Sequence, residues 1–239
     1  MEPVQAATFA GFFAQSDAVG RTILVLLAAM SIATWYLIIT KSIQMITIRR
    51  RAAGFLASFW NAPSMQAVAL RLEERGPDEP FSRLSQRAIA SARHHQRHGA
   101  HRLDEAGSAS EFLLRAMRRM IDEETARLEA GLTTLASVGS TAPFVGLFGT
   151  VWGIYHALTA IGLSGQGTLD KVAGPVGEAL IMTAAGLAVA IPAVLAFNAL
   201  VRGNRVVLAE LDAFAHDLFA FLTTGSHVHE PEPAVAKEA

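Results

Sequence analysis

The sequence predicts an all-α membrane protein with three transmembrane helices and long helical extensions on one side of the bilayer. Two observations carry that prediction. Three stretches of the 239-residue chain lack any charged residue over a bilayer's thickness, and the basic residues gather to one side of them. Crossing ~30 Å of hydrocarbon takes about 20 apolar residues in a helix. Residues 22–40, 130–169 and 179–201 meet that length without a charge. Long buried helices of a soluble core would read similarly one at a time, but three in a chain this short point to membrane spans.

Composition narrows the function classes. Only 17% of residues are charged and the net charge is −1, so no global field draws in nucleic acid or an anionic substrate. The chain has no cysteine, which excludes disulfides, thiolate zinc sites and cysteine nucleophiles. The first basic residue is Arg21, after Glu2 and Asp17. A cleaved signal peptide would begin with a basic region, so the first apolar run is expected to stay as a helix.

Taken in order, the expected elements are an outer N-terminal segment at 1–18, a first span at 19–46 and an inner helical loop at 47–134. A second span at 135–162, an outer loop at 163–174 and a third span at 175–201 follow. An inner helix at 202–225 and a disordered tail at 226–239 complete the chain. Phe9, Phe12 and Phe13 suggest a short amphipathic helix on the outer surface. Orientation follows from the basic residues. Residues 49–127 hold 14 of the 20 Lys and Arg, and only Arg21 and Lys171 fall on the other side. The Arg49-Arg50-Arg51 triplet and the Arg202/Arg205 pair lie near span ends, where such residues bias topology. The N-terminus is therefore expected outside and the C-terminus inside.

Within the large loop, Arg75-Gly76-Pro77-Asp78-Glu79-Pro80 reads as a turn between helices. Leu114, Met117, Ile121 and Leu128 recur at helical spacing, and that helix is expected to run straight into the second span. Val207, Leu211, Phe214, Leu218 and Phe221 form a second amphipathic stripe after the third span. His94, His98 and His101 would share one helical face. Two histidines four apart can bind zinc, but no carboxylate or cysteine completes the set, and Arg93, Arg97 and Arg102 would repel a cation. A solvated polar face is the expectation there.

The spans carry few polar groups, and polar residues inside a membrane are candidates for function. Pro143, Gly146, Thr150, Gly153 and Ala157 recur three and four apart in the second span; Thr183, Gly186, Ala190 and Ala193 do so in the third. Each helix thus presents a face of small side chains with one hydroxyl. Such a face suits close packing of helices, with the threonine bonded to its own backbone. It equally suits a smooth surface against which a partner helix can move. Glu178 stands near the outer end of the third span, where a carboxylate is solvated at the interface or buried at a cost. His156, near the outer end of the second span, is expected at the interface. Threonine cannot titrate in the useful range. A proton path through these helices therefore needs a central acid from another polypeptide.

Ser140-Thr141-Ala142-Pro143-Phe144-Val145-Gly146-Leu147-Phe148-Gly149-Thr150-Val151-Trp152-Gly153-Ile154 closely resembles the second-helix signature of the ExbB/TolQ family, more distantly related to MotA. Ala173-Gly174-Pro175-Val176-Gly177-Glu178-Ala179-Leu180 and the run from Thr183 to Ala193 resemble its third-helix signature. The resemblance implies a pentameric ring in the bacterial inner membrane, with its N-terminus periplasmic and its pore lined by helices two and three. It implies a single-span ExbD-like partner whose membrane Asp sits in that pore, and proton flow that energises a TonB-like protein for outer-membrane uptake of siderophores and vitamins. By the same resemblance Thr150, Thr183 and Glu178 are the polar residues of the proton path. Pro143, Gly146, Gly153, Gly186, Ala190 and Ala193 are then expected to face the pore. Ala142 and Phe144 lean toward the ExbB branch. Phe59-Trp60 and His156 lean toward TolQ, which would serve TolR, TolA and envelope maintenance instead. Protons are used and no cofactor is implied. No nucleotide loop, nucleophile–base constellation or metal set suggests an enzyme. A passive channel or scaffold is the alternative from another class, and MotA would need a fourth span.

Overall fold

The structure is a computed structural model that describes residues 17–98, 109–164 and 169–224; within them the side chains of residues 75, 95–98, 109, 160, 164, 169–173, 175 and 178 fall outside the description. The expected outer helix at Phe9, Phe12 and Phe13, His101 and the tail from 226 lie outside the described residues. Among the described residues six helices follow in order: α1 (Ala18–Trp60), α2 (Met65–Arg75), α3 (Pro80–His98), α4 (Ala109–Glu129), α5 (Leu132–Ser164) and α6 (Leu169–Thr224). Among the described residues there is no strand. Three helical stretches, within α1, across α4 and α5, and within α6, are long and apolar enough to cross a membrane.

The residues cluster into two units, one from residues 1–43 and 131–201, the other from 44–130 and 202–239. In the first, Ile23, Leu24 and Leu27 of α1 pack with Leu135, Val138 and Ala142 of α5 and with Met182, Val189 and Ala193 of α6. Its outward side chains are large and apolar; Phe144 is 70% exposed and Ile32 72%. Hydrocarbon solvates such a surface, and the backbone of each helix satisfies itself. Pro143 sits inside α5 and Pro192 inside α6, and neither ends its helix. α6 begins at Leu169, so Pro175 falls within the helix rather than at its start.

The second unit follows soluble-protein rules. Phe214 of α6 is ringed by Phe55, Phe59 and Trp60 of α1 and Phe81 of α3, with centroids 6.3, 5.1, 5.9 and 5.7 Å away. Tilted and edge-on pairs of this kind add to their area burial. The chain turns at Gly76, whose φ of 71° only glycine adopts freely and whose N–H caps α2 on the Leu72 carbonyl. Glu79 then caps α3. Its Oε2 accepts the Phe81 N–H at 2.9 Å, while Ser82 Oγ accepts the Glu79 N–H at 3.2 Å and donates to the Glu79 carbonyl at 2.8 Å. Pro80 fits the first turn, where no N–H is needed. Burial pushes the Glu79 carboxyl above its usual range, against the pull of these N–H donors.

Two features depart from the sequence pattern. α4 was expected to run on into the second span. Instead it stops at Glu129, and Gly131, at φ 84°, separates it from α5. A left-handed glycine ends a helix without disturbing the hydrophobic period on either side, so periodicity does not show it. Asn204 of α6 then donates to the Leu128 carbonyl at 3.0 Å, filling one of the acceptors that the end of α4 leaves open. The other feature is a buried ion pair. Arg83 of α3 donates Nε to Glu124 Oε1 and its terminal nitrogen to Oε2, both at 2.6 Å, and Arg127 adds a bond to Oε1 at 2.9 Å. The Glu124 side chain is 1% exposed.

Losing the bidentate partner leaves the buried Glu124 carboxylate with the exposed Arg127 alone, which costs about 2 kcal/mol, less than stranding the charge altogether. Arg83→Met is expected to lower stability by that order in denaturant unfolding of the purified chain. Adding Glu124→Met should recover much of the loss, since no buried carboxylate then remains short of its bidentate partner.

Candidate functional site

The site begins with two glycines. A Cβ built on Gly186 of α6 would meet the Ala142 carbonyl oxygen at 2.6 Å and the Gly146 Cα at 3.1 Å; one built on Gly146 would meet the Met182 carbonyl oxygen at 2.6 Å. These neighbours are backbone atoms and cannot swing away. α5 and α6 therefore touch main chain to main chain, as small residues permit in membranes. Gly153 extends the seam, with the Ala179 Cβ 3.2 Å from its own added carbon.

That contact brings the two candidate hydroxyls together. Thr150 stands one turn beyond Gly146 on α5, and Thr183 one turn before Gly186 on α6. Thr150 Oγ1 lies 3.2 Å from the Gly146 carbonyl and 3.0 Å from the Ala179 carbonyl, and it hydrogen-bonds the Thr183 hydroxyl. A hydroxyl has one proton to give and two lone pairs to receive. Both carbonyls can only accept, so the Thr150 proton goes to them. The arrangement that satisfies every group has Thr183 donating to Thr150. Thr150 is 8% exposed, whereas Thr183 is half-buried. Thr183 is thus the member with acceptor capacity toward the outside.

The other residues named from sequence fall as follows. Glu178 is on α6, next to Ala179 and five residues before Thr183; its side chain is outside the described residues. Gly146 and Gly186 lie in the α5–α6 seam, Ala190 and Ala193 are buried in the core of the same unit, and Gly153 and Pro143 are half-buried. Ala193 is 0% exposed within a single chain. The physical reason is that a small-residue face serves close packing as readily as it serves an open wall. His94 is exposed on α3 and the His98 side chain is outside the description. Among the described residues no group of three His, Cys, Asp or Glu converges as for a metal.

Sequence reasoning missed two polar features of the first unit. Asp17 accepts the indole N–H of Trp152, and no spacing links residues so far apart. Thr34 Oγ1 of α1 is buried without a hydrogen-bond partner.

Three apolar helical stretches with a hydroxyl pair in the seam between two of them define a multi-pass membrane protein. The chain belongs to the MotA/TolQ/ExbB proton channel family, which it matches over residues 77–213. It is 48% identical over 213 residues to the biopolymer transport protein ExbB of Xanthomonas campestris pv. campestris, covering 88% of this chain and 84% of that one. It is 45% identical over 206 residues to the ExbB of Neisseria meningitidis, covering 86% and 93%. The Tol-Pal system protein TolQ of Pseudomonas aeruginosa is 32% identical over 232 residues, covering 96% and 100%.

Gly186→Val should force α5 and α6 apart, at a cost of about 3 kcal/mol for overpacking an unyielding contact. Thermal unfolding in detergent should show the loss. Gly162→Ala, where an added carbon meets nothing within 4 Å, should leave the melting temperature unchanged or slightly raised.

Proposed function

We propose that this chain is the ring-forming subunit of an ExbB-type motor driven by the proton-motive force. The observation that carries the proposal is a preorganised pair of hydroxyls, Thr150 and Thr183, in spans that hold no acid at their centre. Hydroxyls can relay a proton or order water, but the group that gains and loses it must titrate. The acid therefore comes from a partner: a single-span, ExbD-like protein with a membrane Asp, seated in a homopentamer of this chain. Thr183 offers its free acceptor capacity to that carboxyl, Thr150 passes the hydrogen bond to the backbone, and Glu178 lies on the outer side. The small seam residues keep α5 and α6 close enough for the pair to form. Proton flow then energises a TonB-like protein that drives outer-membrane uptake of siderophores and vitamins. The orientation is the one the basic residues favour, with the N-terminus periplasmic and the C-terminus cytoplasmic, in the bacterial inner membrane.

The ExbB proteins of Xanthomonas campestris and Neisseria meningitidis, at 48% and 45% identity against 32% for the TolQ of Pseudomonas aeruginosa, favour this branch. The TolQ reading would replace the partners by TolR and TolA and the task by envelope maintenance. A passive channel would conduct through the purified chain alone.

Thr183→Val is expected to assemble normally, to retain a copurifying single-span protein with a membrane Asp, and to lose energy-dependent siderophore uptake. Undiminished uptake by that variant would remove the hydroxyl pair from the mechanism. Copurification of a TolR-like protein in place of an ExbD-like one would move the chain to the other branch.

A further inference from the structure

Asp17 sits at the N-terminus of α1, where its Oδ1 accepts the Gly20 N–H at 2.7 Å. That much is ordinary helix capping. Its Oδ2 does something capping does not require, accepting the indole N–H of Trp152 on α5 at 2.7 Å. The same indole stacks on the imidazole of His156, with centroids 4.4 Å apart and planes inclined at 37°. His156 Nδ1 lies 3.1 Å from the Trp152 carbonyl. A carbonyl only accepts, so Nδ1 carries the hydrogen and Nε2 keeps its lone pair. The imidazole is exposed.

The surroundings suit a cation. The indole N–H holds the Asp17 carboxyl below its usual range; burial opposes this, and the Gly20 N–H, His156 and Arg21 reinforce it. The Asp17 carboxylate and the π face of the indole are both groups that a cation can sit beside. The described charged or titratable groups here are Asp17 and Arg21 on α1 and His156 and Tyr155 on α5, Tyr155 lying edge-on to the imidazole at 5.3 Å. Trp152 is two residues from Thr150 on α5. His156 is six residues on, so its ring stands roughly 9 Å along the helix from the hydroxyl pair.

We propose that Asp17, Trp152 and His156 form the proton-collecting end of the path that leads to Thr150 and Thr183, with His156 Nε2 as the group that takes the proton. The proposal rests on the motor reading, which makes the Asp17 side the proton-rich face. Uptake converts hydronium to water and imidazole to imidazolium. Release restores the neutral ring and passes the same proton to water on the way to the hydroxyls. Asp17 is a positioning residue: it holds the indole beneath the ring and supplies the counter-charge.

Tryptophan emission of the full-length chain tests this, with Trp35→Phe and Trp60→Phe leaving Trp152 as the reporter. An imidazolium in contact quenches indole. Emission should fall as pH is lowered from about 8 to 5, the range in which histidine switches charge. His156→Gln should abolish the transition, and Asp17→Asn should shrink its amplitude, since the indole is then no longer held against the ring. In the assembled complex, His156→Gln should slow proton-driven uptake most when the outer medium is alkaline, with partner copurification intact. A flat emission curve in an active wild type, a transition that survives His156→Gln, or an equal loss of uptake at every pH overturns this proposal alone. A wild-type chain that binds no partner and drives no uptake overturns it together with the motor reading.

Discussion

The contact between Gly146 and Gly186 is what the rest of the membrane unit depends on. In water, apolar burial would press helices together whatever their shape; in hydrocarbon it cannot, because lipid tails are as apolar as leucine. What remains is close packing and hydrogen bonding, and both need the backbones near. With a 3.1 Å approach from a built Cβ to the opposite Cα, neither position has room for a methyl group. One turn away, that proximity lets a side chain on α5 reach a main-chain carbonyl on α6, and Thr150 bonds to Ala179. The hydroxyl pair is thus a consequence of the glycine pair. A larger residue at the seam would disable the chemistry without touching either threonine.

The second unit shows what changes when water is the solvent. Phe214 and its four aromatic neighbours are held by burial, and the polar features within that unit are specific closures. Glu79 closes the start of α3, Asn204 closes the end of α4, and Arg83 with Arg127 neutralises Glu124. Each answers a group that would otherwise be buried without a partner. The same accounting in the membrane unit leaves one described side-chain atom over, the Thr34 hydroxyl.

The helices were legible in the sequence because a span is a property of a run of residues, and runs are local. Thr150 and Thr183 were legible for a related reason: each is the lone hydroxyl on a small face. What those faces do was not. Small residues at helical spacing say that something comes close; the structure makes it the neighbouring helix of the same chain. The break at Gly131 was invisible because one left-handed residue leaves the apolar period intact. The pairs Arg83–Glu124, Asn204–Leu128 and Asp17–Trp152 span 41, 76 and 135 residues. No local pattern encodes such partners, since each end is an ordinary polar residue until the fold brings the other to it.

The hydroxyl pair also explains why a titrating group can be absent from the centre of these spans. A carboxylate fixed there would carry its desolvation cost through insertion, folding and every idle moment, and without a partner it would take up a proton and hold it. Two threonines carry no such burden. Thr150 gives its proton to backbone carbonyls and receives one from Thr183, so the pair is satisfied with nothing bound. The acceptor lone pairs are left on Thr183, the half-buried member. On the motor reading, a protonated guest carboxyl would bond there; for an ionised one Thr183 would turn its proton to the guest, and Thr150 would turn its own from the carbonyls to Thr183. Both changes are rotations of hydroxyls, which ask no movement of the helices that hold them.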